Sequence, residues 1–189
     1  MNTILPLTIR NIHVERTLSL RHEVLWPDMP VEVVKLPEDE DGLHFGAFIE
    51  DPLGKDDLVA VISLFVEPLP IDKVPVHSAN GSNGALLDND PVLVPSEVFA
   101  VRFRKFACRT DAQGQGVGTA LLKHAMHFAR SELKAEVLWC DARVSSADWY
   151  SRRGLSQLGP KFYKGPVEYV CMRTLLTEDS HDVRCSTPV

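Results

Sequence analysis

Gly114, Gly116 and Gly118 crowd into five positions of the stretch DAQGQGVGTALL, Asp111 to Leu122, and the chain then runs directly into a helix-forming sequence. A helix N-terminus leaves backbone N–H groups unpaired and carries partial positive charge. Glycines beside it let an anion come close to several donors at once. The spacing narrows what this cradle can hold. A P-loop needs GxxxxGK[ST], whereas Gly118 is followed by Thr119 with no adjacent lysine. A dinucleotide fingerprint needs GxGxxG near the start of a βαβ unit, whereas the glycines here read GxGxG at mid-chain.

The flanks of the turn give it a context. After it, Leu121, Leu122, Ala125, Phe128 and Ala129 form the apolar stripe of a helix packed on a sheet. Before it, Glu97–Cys108 (EVFAVRFRKFAC) reads as a long strand with charges on both faces, and its parity puts Arg102, Arg104 and Phe106 on one side. Downstream, Ala135–Cys140 reads as a buried strand. Ser145 and Asp148 resemble a capping box, Gly154 supplies a stop, and a short helix is expected over Ser146–Arg153. Leu155–Leu158 and Val167–Leu176 complete the strands, and Thr177–Val189 reads as a loosely held tail. Upstream, a helix is expected over Ile12–Trp26, then a hairpin of Leu43–Glu50 and Leu58–Glu67. Pro68–Pro95, with five prolines and little periodicity, reads as a long surface loop or insertion.

Strand and helix alternate in the second half, so the class is mixed α/β with a central sheet, in one domain over residues 1–176. The chain carries 26 acidic against 20 basic residues, a net charge of −6, which speaks against a nucleic-acid partner held by electrostatics. Cys108, Cys140, Cys171 and Cys185 lie far apart without a CxxC pair, so no zinc site or disulfide framework is expected. His124 and His127 form HxxH, but further ligands are missing and exposed histidines are the simpler reading. With no targeting segment and no apolar run of about 18 residues, a cytoplasmic protein off the membrane is expected, nuclear entry being left open.

Gln113-Gly114-Gln115-Gly116-Val117-Gly118 is similar to the Q/R-x-x-G-x-G/A signature of the GNAT superfamily of N-acetyltransferases. The resemblance runs from Glu97 to about Leu176, and Trp149-Tyr150-Ser151-Arg152-Arg153-Gly154-Leu155 resembles the family's FY-x-x-x-G-F sequence. LRHEVLWP, Leu20–Pro27, also looks like the first helix of some members, while Pro68–Pro95 falls outside the pattern. The resemblance implies a mostly antiparallel, twisted sheet of six to seven strands flanked by about four helices. It implies acetyl-CoA as co-substrate and no metal, with the pyrophosphate on Gln113, Gly114, Gln115, Gly116, Val117, Gly118 and Thr119. Phe106, Ala107 and Cys108 would lie beside the pantetheine arm, and a backbone N–H near Cys108 would polarise the carbonyl. The implied acceptor is a small-molecule primary amine that attacks directly in a ternary complex. A protein N-terminal or lysine acetyltransferase and a non-catalytic acyl-CoA-binding module stay open as alternatives, and a homodimer is among the states left open.

Tyr150 matches the tyrosine that many relatives place near the thioester sulfur, where a phenol can protonate a departing thiolate. Cys108 has no evident partner as a nucleophile and reads as a small buried hydrophobe. In the histone-acetylating branch a glutamate base stands where Arg102 stands here, and a guanidinium cannot serve as base. His44, Glu97, Glu23, His22 or a water chain remain as candidates. Arg102 and Arg104, together with His44, are candidate acceptor-binding residues, the arginines suiting a carboxylate or phosphate. The competing expectation pairs both arginines with acidic neighbours such as the Glu38–Asp41 run, itself read as a solvated loop.

Overall fold

A computed structural model describes residues 6–50, 56–70, 85–87, 90–94 and 98–176. The described elements are β1 (Leu7–Asn11), α1 (Glu15–Leu25), β2 (Leu43–Glu50), β3 (Asp56–Val66), β4 (Ala85–Leu87), β5 (Asp90–Val94) and β6 (Ala100–Cys108). They continue with α2 (Val117–Ser131), β7 (Val137–Arg143), α3 (Val144–Ser151), β8 (Ser156–Lys164) and β9 (Val167–Leu175). Seven strands form one sheet in the order β1-β2-β3-β6-β7-β9-β8. Every neighbour pair is antiparallel except β6 and β7, which are parallel. The class is mixed α/β, with three α-helices among the described residues against the four or so expected.

Several boundaries differ from the sequence expectation for local reasons. α3 starts at Val144, directly after β7, and makes no side-chain cap, so Ser145 lies inside the helix rather than capping it. β8 runs on to Lys164 because its register shifts between Leu158 and Phe162, which lets the strand pass Gly159 and Pro160. The Pro68–Pro95 segment is not wholly loop, since β4 and β5 pair as a two-stranded sheet inside it. β1 was absent from the expectation because LTIRN is only five residues long and alternates over just four of them. The tail from Thr177, Cys185 and Glu97 lie outside the described residues.

The two faces of the sheet carry different cores. On one face the α2 stripe of Leu121, Leu122, Ala125 and Ala129 packs with Phe45, Ile62, Leu64, Val101, Phe103 and Leu138. Full burial of one such Leu or Phe stabilises by roughly 1.5–3 kcal/mol. On the other face Leu20 of α1 meets Ile12, Phe48, Val61 and Ala107.

α1 is also fixed by a polar centre in which Arg21, Asp39 and Ser63 are at most 1% exposed. The Arg21 guanidinium donates to both carboxylate oxygens of Asp39, at 2.6 and 3.1 Å, and to Ser63 Oγ at 2.7 Å. The Leu36 N–H donates a further bond to Asp39. His44 closes the group, with Nδ1 2.7 Å from Ser63 Oγ and Nε2 2.9 Å from the Asp39 carbonyl. A neutral ring with its proton on Nε2 satisfies both contacts. Burial lowers the His44 pKa, with the Arg21 charge adding to it. Burial opposes the Asp39 charge, yet hydrogen bonds from Arg21 and the Leu36 N–H hold that carboxyl below its ordinary range. The acidic run is therefore solvated only in part: Glu40 and Asp41 are exposed, while Asp39 turns inward and Glu38 pairs with Arg104.

Breaking one partner of a buried ion pair strands the other charge. Arg21→Met is expected to cost about 3–5 kcal/mol in denaturant unfolding. Because both folded pKa values lie below the unfolded ones, the stabilisation is present above about pH 6.5 and is lost as pH falls, first through His44 and then through Asp39. A wild-type Tm that stays flat from pH 7.5 to 4 would contradict this arrangement.

Candidate active site

β6 and β7 pair over only three residues, Ala100–Arg102 against Val137–Trp139. Beyond that point β6 stays on β3 as far as Cys108, and β7 stays on β9 as far as Arg143. The two strands therefore part with nothing between them, and a cleft opens at the centre of the sheet. A bulge adds to the separation. Val61 faces Ala107 and Ser63 faces Arg104, so β6 carries one extra residue, and Lys105 sits there in the left-handed region at φ 53°.

The extra residue reverses the side-chain alternation of β6. Phe106 thus does not share a face with Arg102 and Arg104, as parity had predicted. Its ring packs instead with Phe103, Trp149 and Tyr150, at centroid distances of 6.3, 5.7 and 6.5 Å. Ala107 points the other way, into the α1-side core.

One end of the cleft, about 640 Å³, is lined by Phe106, Cys108, Gln113, Gly114, Gly116, Gly118, Thr119, Trp149 and Arg153. Its floor is the glycine turn, tied down from below. Arg109 grips Asp57 with two bonds of 3.0 and 2.7 Å and Asp111 with one of 2.7 Å, while Gln113 Nε2 donates to the Cys108 carbonyl at 2.9 Å. Gly114 and Gly116 take φ of 74° and 86°, and a Cβ placed on either would meet nothing within 4 Å. The space above the turn is open, and the α2 N-terminus has no side-chain cap to compete for its N–H groups. Arg153 stacks on Trp149 at 3.6 Å and donates to Thr119 Oγ1 at 2.9 Å, which brings a guanidinium to the same cradle.

The other end, about 530 Å³, lies between the diverging strands and the last turn of α1; Trp26, Arg102, Arg104, Lys105, Asp141, Arg143, Lys164 and Tyr169 are among its lining residues. Tyr150 and Phe106 line both ends, so the two spaces form one cleft. Burial raises the Tyr150 pKa well above its ordinary value, and its hydroxyl has no hydrogen-bond partner among the described residues.

Residues 97–176 match the family model of the acetyltransferase (GNAT) domain. Over that segment the chain is similar to the GNAT acetyltransferases. It is 27% identical over 158 residues to the uncharacterized N-acetyltransferase YitI of Bacillus subtilis (strain 168), covering 82% of this chain and 87% of that protein. Among solved structures it is similar to the IAA acetyltransferase of Bacillus cereus ATCC 14579, with TM-score 0.58 at 16% identity over 90% of this chain and 99% of that one. It is also similar to FeeM, an N-acyl amino acid synthase from uncultured soil microbes, with TM-score 0.63 at 13% identity over 91% and 92%. The fold of the GNAT domain and its neighbours thus extends over the first half of the chain as well.

Within the cleft, seven of the ten residues expected on the cofactor side line its glycine end. The other three do not. Ala107 and Val117 are 2% and 4% exposed and belong to the core, leaving only their backbones near the cleft. Gln115 is spent on the Asp111 carbonyl at 2.6 Å. Burial raises the Cys108 pKa, which leaves it a thiol, in keeping with a packing role. His44 is a correction: it is 4% exposed, both its nitrogens are engaged in the polar centre, and it does not line the cleft. His22 is tied to the Met29 carbonyl at 2.6 Å. Arg102 and Arg104 do line the cleft, but Arg102 pairs with Glu67 and Asp141, and Arg104 with Glu38 and Glu67. Both arginines are therefore spent largely on acidic neighbours. Among the described residues no group of His, Cys, Asp and Glu could hold a metal, and no helix is long and apolar enough to cross a membrane.

Sequence reasoning passed over Lys105, Arg143 and Arg153. Arg153 stood in a quoted motif and could have been named, whereas only the bulge gives Lys105 its place. Burial lowers the Lys105 pKa to about 8, with the Arg21 and Arg104 charges contributing, and its Nζ lies 3.9 Å from the centre of the Trp26 ring. An NMR titration of labelled lysines is expected to show one ε-amine with a midpoint near 8 that disappears in Lys105→Met. Midpoints near 10.4 for every lysine would contradict the buried placement.

Proposed function

We propose that this chain is an acetyl-CoA-dependent N-acetyltransferase acting on a primary amine of a small molecule, by direct attack in a ternary complex. The observation that carries the reading is the single cleft in which Tyr150 lines both the glycine end and the space between the parted strands. When bound, acetyl-CoA supplies an acyl thioester. Its pyrophosphate is assigned to the N–H groups around Gly114, Gly116, Gly118 and Thr119, where the open space above the turn suits an anion. Its pantetheine arm is assigned to the gap beside Phe106 and Cys108, where the edge of β6 lies open to a ligand.

Tyr150 is the proposed general acid. Its raised pKa keeps the proton on Oη throughout the neutral range, ready for the sulfur that leaves. A backbone N–H near Cys108 polarises the carbonyl in this scheme. His44 is buried away from the cleft, so that ring does not take the surplus proton of the incoming amine.

The reading is tested by calorimetry with acetyl-CoA followed by transfer assays on an amine panel. Saturable binding with turnover of at least one amine is expected; binding without any turnover would favour a carrier module instead. Tyr150→Phe should lower kcat about a hundredfold, within the usual range for loss of a general acid, while acetyl-CoA affinity stays within about twofold by the uniform-binding criterion. An unchanged kcat removes Tyr150 from the mechanism.

A further inference from the structure

The acceptor end of the cleft is cationic in a chain whose net charge is −6. Five cations line it, Arg102, Arg104, Lys105, Arg143 and Lys164, against the single carboxylate of Asp141. Pairing divides them into two sets. Asp141 engages Arg102 and Lys164, and Glu67 and Glu38 engage Arg102 and Arg104. Each of those carboxylates already holds at least one cation, and Asp141 and Glu67 hold two each, although the buried Asp141 Oδ1 accepts no bond from a described residue.

Lys105 and Arg143 are in the other set. Neither makes an ion pair with a described residue. Lys105 is presented by the left-handed bulge and rests its ammonium on the face of Trp26. Arg143 ends β7 and donates to the Leu25 carbonyl at 3.4 Å, its one described bond, although a guanidinium has five N–H donors. Both hang from the wall that the last turn of α1 builds over the cleft, one from each of the two parted strands.

We infer that the amine acceptor carries an anionic group, a carboxylate or a phosphate, held between Lys105 and Arg143, so that its amine is presented toward Tyr150. This rests on the acetyltransferase reading above and adds the substrate class. A partly desolvated cation without a partner is costly, and an anion that completes it gains a charge-assisted bond. Cationic acceptors such as polyamines meet two unpaired positive charges, while Asp141, the one carboxylate in the lining, already holds two cations. They are disfavoured by the same geometry.

The test compares kcat/KM at saturating acetyl-CoA for L-amino acids against their own carboxamides, for O-phosphoethanolamine against ethanolamine, and for spermidine. Carboxamides have the less basic amine and so hold more of it as free base at neutral pH, and an advantage of the acids runs against that availability. At least one acid or phosphate is expected to exceed its uncharged partner by about tenfold or more, the size of one charge-assisted contact. The better of the two anions identifies the group. Arg143→Gln and Lys105→Gln should each raise KM for the anionic acceptor and narrow that ratio, while rising salt narrows it in the wild type without any substitution. Equal or faster transfer to carboxamides, ethanolamine or spermidine overturns the charge inference and leaves the acetyltransferase reading standing. Binding of acetyl-CoA with transfer to no amine overturns both.

Discussion

The parallel contact between β6 and β7 is three residues long, and the cleft exists because it ends there. Each strand leaves that contact still bonded to its outer neighbour, β6 to β3 and β7 to β9, so the gap costs no hydrogen bonds on the far sides. On the inner sides it leaves two strand edges facing a space with no strand in it. An open edge is a template for whatever extended ligand can lie along it. The bulge at Lys105 belongs to the same construction, for it turns Phe106 toward Tyr150 while Arg104 stays on the opposite face. A straight β6 would bury neither aromatic contact nor present the lysine.

The buried centre around Arg21 is what carries this geometry to the acceptor side. Arg21 fixes α1 over β2 and β3 through Asp39, His44 and Ser63, and the last turn of α1 then supplies Leu25 and Trp26 to the cleft wall. Asp39 turning inward also sets its neighbour Glu38 against Arg104. One buried carboxylate thereby fixes the helix and leaves the next one to neutralise a cleft arginine. The charge left over at Lys105 and Arg143 is a consequence of which acidic residues the core has already used.

The glycine turn and the amphipathic stripe after it were legible in the sequence because both are local: glycine spacing and a helical period need no partner to be read. So was the aromatic WYS segment, by resemblance. The bulge left a local trace that was not read, since VRFRKFAC breaks its alternation at Arg104-Lys105; only pairing with β3 shows that the break is an extra residue. His44 misled because a histidine in an apolar strand looks alike whether it faces a cleft or a buried arginine, and Arg21 lies 23 positions away in sequence. Arg102 and Arg104 were placed on the right face, yet their charge could not be judged free or spent until Glu67, Asp141 and Glu38 were located in space.

A crystal structure of the chain with coenzyme A bears most directly on the central claim, that the parted strands and the glycine turn together form an acyl-CoA site. The account places the pyrophosphate on the backbone of Gly114 to Thr119 and the thiol end in the gap between β6 and β7, near Tyr150 Oη. Density for coenzyme A elsewhere on the sheet, or a gap closed by direct β6–β7 pairing beyond Arg102, would contradict it.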